Sequence, residues 1–295
     1  MVNLGRASGL YPFTPASFTT PGGARMSYLD EGPRSHEAVL MVHGNPTWSF
    51  YYRDLVRELS PSIRCIAPDH VGMGLSEKPQ SYEYTLAGRI RDLAALVASL
   101  GLRRIHLVVH DWGGPIGLGA VMGNPEAVGR IVVTNSAAFP GRIPARIALC
   151  RLPVLGEVIV RGLNGFAGPA SRMAMSARRL TPEERDGYLW PYRDWSSRIA
   201  VHRFVHDIPM EAGHPSRPVL DGITQGLGAF GGHRKIIVWG GRDFCFGAEF
   251  LGRWKAAWPD ARVEFLPSVG HYVLEDGGTD VRRSIAQFIT QPNEA

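Results

Sequence analysis

Short apolar segments alternate with segments of helical periodicity along most of the chain. Six of the apolar segments lack the regular polar positions of a half-exposed strand, and such runs are typical of strands buried on both faces of a parallel sheet. They are residues 38–42, 63–68, 105–109, 131–134, 236–239 and 263–266. Residues 25–30 are expected to form an antiparallel strand at the edge of this sheet.

A helix is predicted between the second and third of these strands, over residues 85–100. Its apolar positions recur at helical spacing and form one stripe, made by Leu86, Ile90, Leu93, Val97 and Leu100. Gly101 follows as the expected helix stop. Strands and helices that alternate in this order predict an α/β fold with a mostly parallel, doubly wound sheet.

The alternation stops between residues 139 and 210, where helical patterns occur without a clear strand. This stretch carries eleven arginines and six acidic residues. Helices inserted between two parallel strands are expected to cover the carboxyl end of the sheet, where ligands bind in such folds. We therefore predict a helical cap domain over residues 139–214, and a core domain made of residues 1–138 and 215–295.

Composition excludes several classes of protein. The chain is 44% hydrophobic and carries a formal net charge of +5, and 29 of its 32 basic residues are arginines spread along the sequence. No basic motif with interleaved aromatic residues appears, so a nucleic-acid partner is not expected. No apolar run approaches the length of a membrane span and no signal peptide is evident, so we expect a cytoplasmic protein without a membrane partner.

The three cysteines are widely spaced and form no CxxC pair; they are Cys65, Cys150 and Cys245. This pattern argues against a disulfide framework and against a zinc site. Reduced thiols are the simplest interpretation. We expect neither a metal nor a cofactor.

Asp111 is the strongest candidate for a catalytic residue. It directly follows a predicted strand and precedes Trp112, Gly113 and Gly114. A strand that enters a tight glycine turn and then a helix is the context of a nucleophile elbow, which lifts one side chain above the sheet. The alternative interpretation is an aspartate that caps the N-terminus of a helix.

Asn45 lies in the second candidate segment, His43 to Trp48, directly after another predicted strand. In α/β-hydrolases the corresponding loop supplies a backbone N–H to the oxyanion hole. The Asn45 amide adds a side-chain donor at the same end of the sheet. The alternative interpretation is an ordinary Asn-Pro turn.

His271 follows the last predicted strand and could act as a general base, because imidazole exchanges protons near neutral pH. Asp243 follows the preceding strand and could fix the tautomer of His271. The rival position for this acid holds Asn135 and Ser136, neither of which is acidic. We interpret the other histidines as structural and Asp69 as a loop anchor.

Together these features resemble the haloalkane dehalogenases of the α/β-hydrolase superfamily, over residues 28–288. In that family an aspartate is the nucleophile, as the resemblance implies for Asp111. The positions of Trp112 and Asn45 match the residues that bind the departing halide, and those of His271 and Asp243 match the base and the acid. Residues 43–52, 65–79, 110–114 and 198–209 are most similar to the third dehalogenase subfamily. That subfamily is closely similar to the β-lactone decarboxylases of bacterial olefin synthesis.

The chemistry of a carboxylate nucleophile indicates displacement at an sp³ carbon, which leaves an alkyl ester on Asp111. The leading expectation is hydrolytic dehalogenation, in which Asn45 and Trp112 bind halide and His271 activates the water that resolves the ester. Backbone N–H groups near Asn45 and Trp112 would hold the oxyanion. The first alternative is a β-lactone decarboxylase that releases a cis-alkene and CO₂.

Two further readings are weaker. An epoxide hydrolase would need acidic donors from the cap, for which Tyr188 and Tyr192 are the candidates. A non-catalytic binding protein would not need a nucleophile, a base and an acid together. The expected ligands are a small hydrophobic alkyl substrate and a halide ion, in a pocket lined by Trp48, Phe139 and Tyr272. The resemblance also implies self-association into a homo-oligomer.

Overall fold

A computed structural model describes residues 2–292 and shows eight strands in one sheet. The strands are β1 Ala16–Thr19, β2 Arg25–Glu31, β3 Glu37–Val42, β4 Arg64–Pro68, β5 Arg104–Asp111, β6 Val128–Ser136, β7 Arg234–Gly240 and β8 Arg262–Leu266. All strand pairs from β4 across to β8 are parallel, whereas β1 and β2 are antiparallel to their neighbours. The predicted α/β-hydrolase fold with a mostly parallel sheet is therefore confirmed.

The spatial order of the strands is β1-β2-β4-β3-β5-β6-β7-β8. After β3 the chain moves outward to β4 and then returns to the other side of β3 as β5. This reversal leaves a crevice beyond the carboxyl ends of β3 and β5, which is where such sheets bind ligands. Val42 at the end of β3 pairs with Val109 of β5, so the loops that follow both strands meet.

One sequence prediction about the sheet edge is wrong. Strand β2 is antiparallel, as expected, but the edge position belongs to β1, which pairs with it. The four residues of β1 alternate between half-buried and exposed positions. So short a segment contains too few apolar positions to distinguish a strand from a loop by periodicity.

Helices cover both faces of the sheet. They are α1 Arg53–Leu59, α2 Leu86–Ser99, α3 Gly113–Val121, α4 Ala145–Leu149, α5 Leu155–Glu157, α6 Ala167–Met173, α7 Pro182–Leu189, α8 Ile199–His206, α9 Arg217–Gly226, α10 Ala248–Ala257, α11 Val273–Asp276 and α12 Gly278–Thr290. The predicted helix is α2, which begins after Thr85, whose side-chain oxygen accepts a hydrogen bond from the Gly88 N–H. Gly101, just beyond its end, has a positive φ of 61°, as expected for a glycine that ends a helix.

Helices α4 to α8 lie between β6 and β7 in the chain, together with a π-helical turn at Val158–Gly162. Helix α9 follows them and packs against α2 and α3, which belong to the sheet layers. We keep the division into a cap of residues 139–214 and a core as a proposal. Within residues 2–292, no helix is both long and apolar enough to cross a membrane.

Candidate active site

Asp111 lies at the junction of β5 and α3, in a left-handed backbone conformation with φ of 53°. Aspartate is one of the few residues besides glycine that adopt this conformation readily. A Cβ atom at Gly113 would overlap the carbonyl oxygen of Val42, and one at Gly44 would overlap the Asp111 side chain. The glycines therefore allow the turn to pack tightly against the β3 loop, as a nucleophile elbow requires.

The Asp111 carboxylate is buried and faces backbone donors from both loops. The backbone N–H of Asn45 donates to Oδ1 at 2.6 Å, and the backbone N–H of Trp112 also donates to this carboxylate. Burial raises the pKa of Asp111, while His271 and the two backbone donors partly oppose this rise. Trp112, and not Asp111, occupies the N-cap position of α3, so the helix-cap interpretation does not describe this side chain.

His271 bridges two carboxylates. Its Nδ1 lies 2.8 Å from Oδ2 of Asp243, and its Nε2 lies 3.7 Å from Oδ2 of Asp111. Burial alone would lower the pKa of His271, but the neighbouring Asp243 and Asp111 carboxylates outweigh it and raise the pKa. Because Nδ1 is hydrogen-bonded to Asp243 and 3.7 Å is too long for a direct hydrogen bond to Asp111, Nε2 is free to act on a substrate or water.

Asp243 is held in place by three donors. Besides His271, the Asn135 Nδ2 donates to its Oδ2 at 2.8 Å and the Cys245 N–H donates to its Oδ1 at 2.6 Å. The Asn135 amide also donates to the Gly240 carbonyl and accepts from the Gly240 N–H. Asn135 thus holds the Asp243 carboxylate in place. In the sequence Asn135 stands out only as a non-acidic rival to Asp243, although the ends of the neighbouring strands β6 and β7 lie close together.

We expect Asn135→Ala to destabilise the fold by about 2–3 kcal/mol, because the buried Gly240 N–H loses its acceptor and Asp243 loses one of its three donors. Urea unfolding of wild type and variant measures the difference. Asn124→Ala is the matched control, since Asn124 is exposed and its side chain forms no hydrogen bond within residues 2–292, and it should change stability by less than about 0.5 kcal/mol. Equal stabilities for the two variants would contradict the positioning role.

Asn45 and Trp112 both lie beside Asp111 and line the same apolar cavity. One amide N–H of Asn45 donates to the carbonyl of Val201 in α8 at 3.1 Å, which fixes the orientation of the side chain. The Trp112 ring packs edge-on against Phe204 of the same helix. Its indole N–H has no hydrogen-bond partner in the described part of the chain, so it is free to donate to a ligand.

The cavity has a volume of about 360 Å³ and also contains Asp111 and His271 in its lining. Apolar side chains from the β6 end, from α4, α6 and α8 and from the loop before α10 form most of its wall. Phe139 is among them, as predicted, and Phe244 and Phe246 flank the His271 ring. Because the wall is apolar, charges inside it are poorly solvated and interact strongly.

Two predicted pocket residues do not line this cavity. Trp48 is fully buried, its indole N–H donates to the Gly187 carbonyl, and its ring stacks with Phe50. Tyr272 stacks on Tyr188 instead of facing the cavity. Tyr272 directly follows His271 and Trp48 lies three residues after Asn45, but both side chains belong to the hydrophobic core.

The assembled groups suit nucleophilic displacement at an sp³ carbon. Asp111 offers a carboxylate in an apolar cavity, and Trp112 and Asn45 offer donors without a competing base. His271, paired with Asp243, offers a proton acceptor close to the same carboxylate. Among residues 2–292, no cluster of three histidine, cysteine or acidic side chains is arranged to hold a metal ion.

Comparisons with known proteins agree with this geometry. Residues 37–278 match the family described as the alpha/beta hydrolase fold. A cis-3-alkyl-4-alkyloxetan-2-one decarboxylase from Shewanella oneidensis is 42% identical over 289 residues, covering 96% of this chain and 90% of the relative. Haloalkane dehalogenase 2 of Mycobacterium tuberculosis is 31% identical over 283 residues, covering 94% and 96%.

Solved structures of haloalkane dehalogenases are also similar to this chain. The haloalkane dehalogenase DbeA from Bradyrhizobium elkani superposes with a TM-score of 0.83 at 26% identity, covering 94% of this chain and 97% of that one. The named relatives are enzymes, and their two names imply different reactions. The chain belongs to the α/β-hydrolase fold family, in the branch that contains the haloalkane dehalogenases and the cis-3-alkyl-4-alkyloxetan-2-one decarboxylases.

Proposed function

We propose that the protein is a β-lactone decarboxylase that converts cis-3,4-dialkyl oxetan-2-ones into cis-alkenes and CO₂. The observation that carries this proposal is the identity of 42% to a decarboxylase of that substrate class, against 31% to a dehalogenase, at nearly equal coverage. From the sequence alone, dehalogenation was the leading expectation and decarboxylation the first alternative, and the candidate residues fit both reactions. The sequence identities reverse that order.

The proposed reaction begins with displacement at C4, the sp³ carbon that is bonded to the ring oxygen. The Asp111 carboxylate attacks C4 and the C4–O bond of the strained ring breaks, so an alkyl ester forms on Asp111 and a free carboxylate forms on C3. The bond between C3 and that carboxylate then breaks, and its electron pair forms the alkene. The ester C4–O bond breaks at the same time, which releases CO₂ and regenerates Asp111.

This sequence consumes no water and no proton. Displacement inverts C4, and an anti elimination then gives an alkene with the geometry of the starting lactone, so a cis-lactone gives a cis-alkene. The Trp112 N–H and the Asn45 amide can stabilise the carboxylate as it departs from C4. The apolar wall of the cavity then favours loss of CO₂, because it solvates the trapped carboxylate poorly.

Dehalogenation is the second candidate, and the geometry of His271 favours it. Decarboxylation does not need a base, yet His271 is paired with Asp243 and its Nε2 lies 3.7 Å from Asp111. That placement suits activation of a water that hydrolyses an alkyl ester on Asp111. We therefore expect slow hydrolysis of bromoalkanes beside the main reaction.

Epoxide hydrolysis receives no support from the predicted donors. The Tyr188 hydroxyl donates to Glu275 at 2.7 Å, and the Tyr192 hydroxyl contacts the Met73 sulfur. Neither tyrosine lines the cavity. The groups needed to protonate an epoxide oxygen are thus directed elsewhere.

The test is to supply the purified protein with a cis-β-lactone bearing two alkyl arms and to identify the products by gas chromatography. We expect the cis-alkene and an equal amount of CO₂. The trans-lactone is the matched control, and any alkene from it should be trans. A β-hydroxy acid as the main product would contradict the proposal, because it would show that water resolves the ester.

The pH dependence should separate the two reactions. Both need an ionised Asp111, whose pKa is raised mainly by burial, so both should slow as pH falls through that raised pKa. Hydrolysis also needs neutral His271, whose pKa is raised by Asp243 and Asp111 despite burial. As the pH falls, the rate of bromide release should therefore decline at a higher pH than the rate of alkene formation. An alkene profile that declines first would contradict these roles.

A further inference from the structure

The segment between β6 and β7 exposes large apolar side chains beside the cavity. Nine such residues are exposed within residues 2–292, and five of them fall in ten consecutive positions. We call these five the apolar patch: Leu149, Leu152, Val154, Leu155 and Val158. Single exposed apolar residues are ordinary, whereas a concentration of them marks an interaction surface.

The backbone holds the centre of the apolar patch outward. Val154 is 78% exposed, more than any other large apolar residue described. It has φ of 60° and ψ of −57°, and the Leu155 N–H donates to the Pro153 carbonyl at 2.6 Å. This is a γ-turn with positive φ, a conformation that is strained for a β-branched residue. Strain of this kind is typical of functional segments.

The surroundings of the apolar patch are basic. Residues 139–173 contain five arginines and a single acidic residue, Glu157, which pairs with the buried Arg161. Three of these arginines are exposed and have no acidic partner among residues 2–292; they are Arg142, Arg146 and Arg172. The Arg146 guanidinium lies 3.5 Å from the Met173 sulfur, which is itself exposed. The surface is therefore both apolar and positively charged.

The apolar patch adjoins the cavity that holds Asp111. Leu149 belongs to the apolar patch and also lines the cavity. The neighbouring Arg142, Arg146 and Met173 line the cavity too. A ligand that reaches the cavity from this side passes these residues. The surface is therefore continuous with one wall of the cavity.

We propose that this surface docks on a lipid bilayer that contains anionic lipids, so that the dialkyl substrate enters the cavity directly from lipid. Apolar side chains beside arginines are the composition of interfacial anchors. A twofold contact between two copies of the chain would place the unpaired arginines near their own counterparts, which repel. Such peripheral docking needs no spanning helix. It departs from the expectation of no membrane partner, which rested on the lack of a spanning segment. The identity of the dialkyl substrate rests on the proposed function, whereas docking on the bilayer does not.

Sedimentation with phospholipid vesicles tests the docking. We expect the wild-type protein to bind vesicles with about one third phosphatidylglycerol, and to bind pure phosphatidylcholine vesicles about tenfold less. The triple variant Leu152→Ser, Val154→Ser, Leu155→Ser should bind the anionic vesicles about tenfold less than wild type. None of these three residues lines the cavity. Phe265→Ser, at an exposed apolar residue of β8, is the matched control and should bind like wild type.

Kinetics then link docking to substrate entry. The triple variant should form alkene at the wild-type rate from a short-chain lactone in solution, and about tenfold more slowly from a long-chain lactone carried in anionic vesicles. Absence of wild-type binding, or equal binding by wild type and triple variant, would overturn the proposal. So would a wild-type dimer that the triple variant dissociates, because the apolar patch would then contact a second copy. Vesicle binding without alkene formation would overturn the proposed function alone.

Discussion

Asp111→Ala should reduce alkene formation by at least about 10⁴-fold, since no other group can form the covalent ester. The Asp111 carboxylate is the only acidic side chain in the lining of the cavity within residues 2–292. The variant should remain folded. Burial raises the pKa of Asp111, which means that the buried charge opposes folding, and alanine removes that charge. Gas chromatography of the product and thermal unfolding measure the two effects on one preparation.

Asp92→Asn provides the matched control for this variant. Asp92 is also buried, with a pKa raised mainly by burial, but it accepts a hydrogen bond from Tyr82 and does not line the cavity. Asp92→Asn should keep alkene formation within about threefold of wild type, because the substitution can change the stability of the fold but not the lining of the cavity. Retention of alkene formation by Asp111→Ala would show that Asp111 is not the nucleophile.

His271→Gln should separate the two reactions of the site. Bromide release from 1-bromohexane should fall by about 10²–10⁴-fold in steady state, because water is no longer activated to cleave the ester. Mass spectrometry should then show a hexyl adduct on Asp111. Alkene formation from the cis-lactone should stay within about tenfold of wild type, since elimination of CO₂ needs no base.

The amide of the new glutamine can still donate to Asp243, which limits the structural damage. His36→Gln, at an exposed histidine bonded to the Gly101 carbonyl, is the control and should leave both reactions unchanged. Equal losses of alkene and bromide would mean that His271 takes part in the decarboxylation itself. That outcome would require a different mechanism from the one proposed.

The sequence was sufficient to predict the parts of the fold that depend on local patterns. Five buried strands and helix α2 could be predicted from runs of apolar residues, and the Asp111 elbow from one strand followed by glycines. The sixth predicted strand, β8, forms but lies at the sheet edge with no fully buried residue, so its burial on both faces was predicted wrongly. The ends of parallel strands share one edge, so the approach of Asn45, Asp111 and His271 followed from chain order alone. Strand β1 was missed because four alternating residues carry too little periodicity.

Side-chain direction was the part that the sequence could not supply. Trp48 is three residues from Asn45, yet its indole turns into the core to reach the Gly187 carbonyl. Asn135 was dismissed as non-acidic, although its amide holds Asp243. Such contacts join residues more than a hundred positions apart, and they depend on how loops pack rather than on any local pattern.

The ratio of two specificity constants tests the central proposal most directly. A cis-β-lactone and a 1-bromoalkane with arms of equal length should be supplied to one preparation, and kcat/KM determined from alkene and from bromide. Our account predicts that the lactone is preferred by at least about 10²-fold. A higher kcat/KM for bromide release than for alkene formation would contradict it and would assign the protein to dehalogenation.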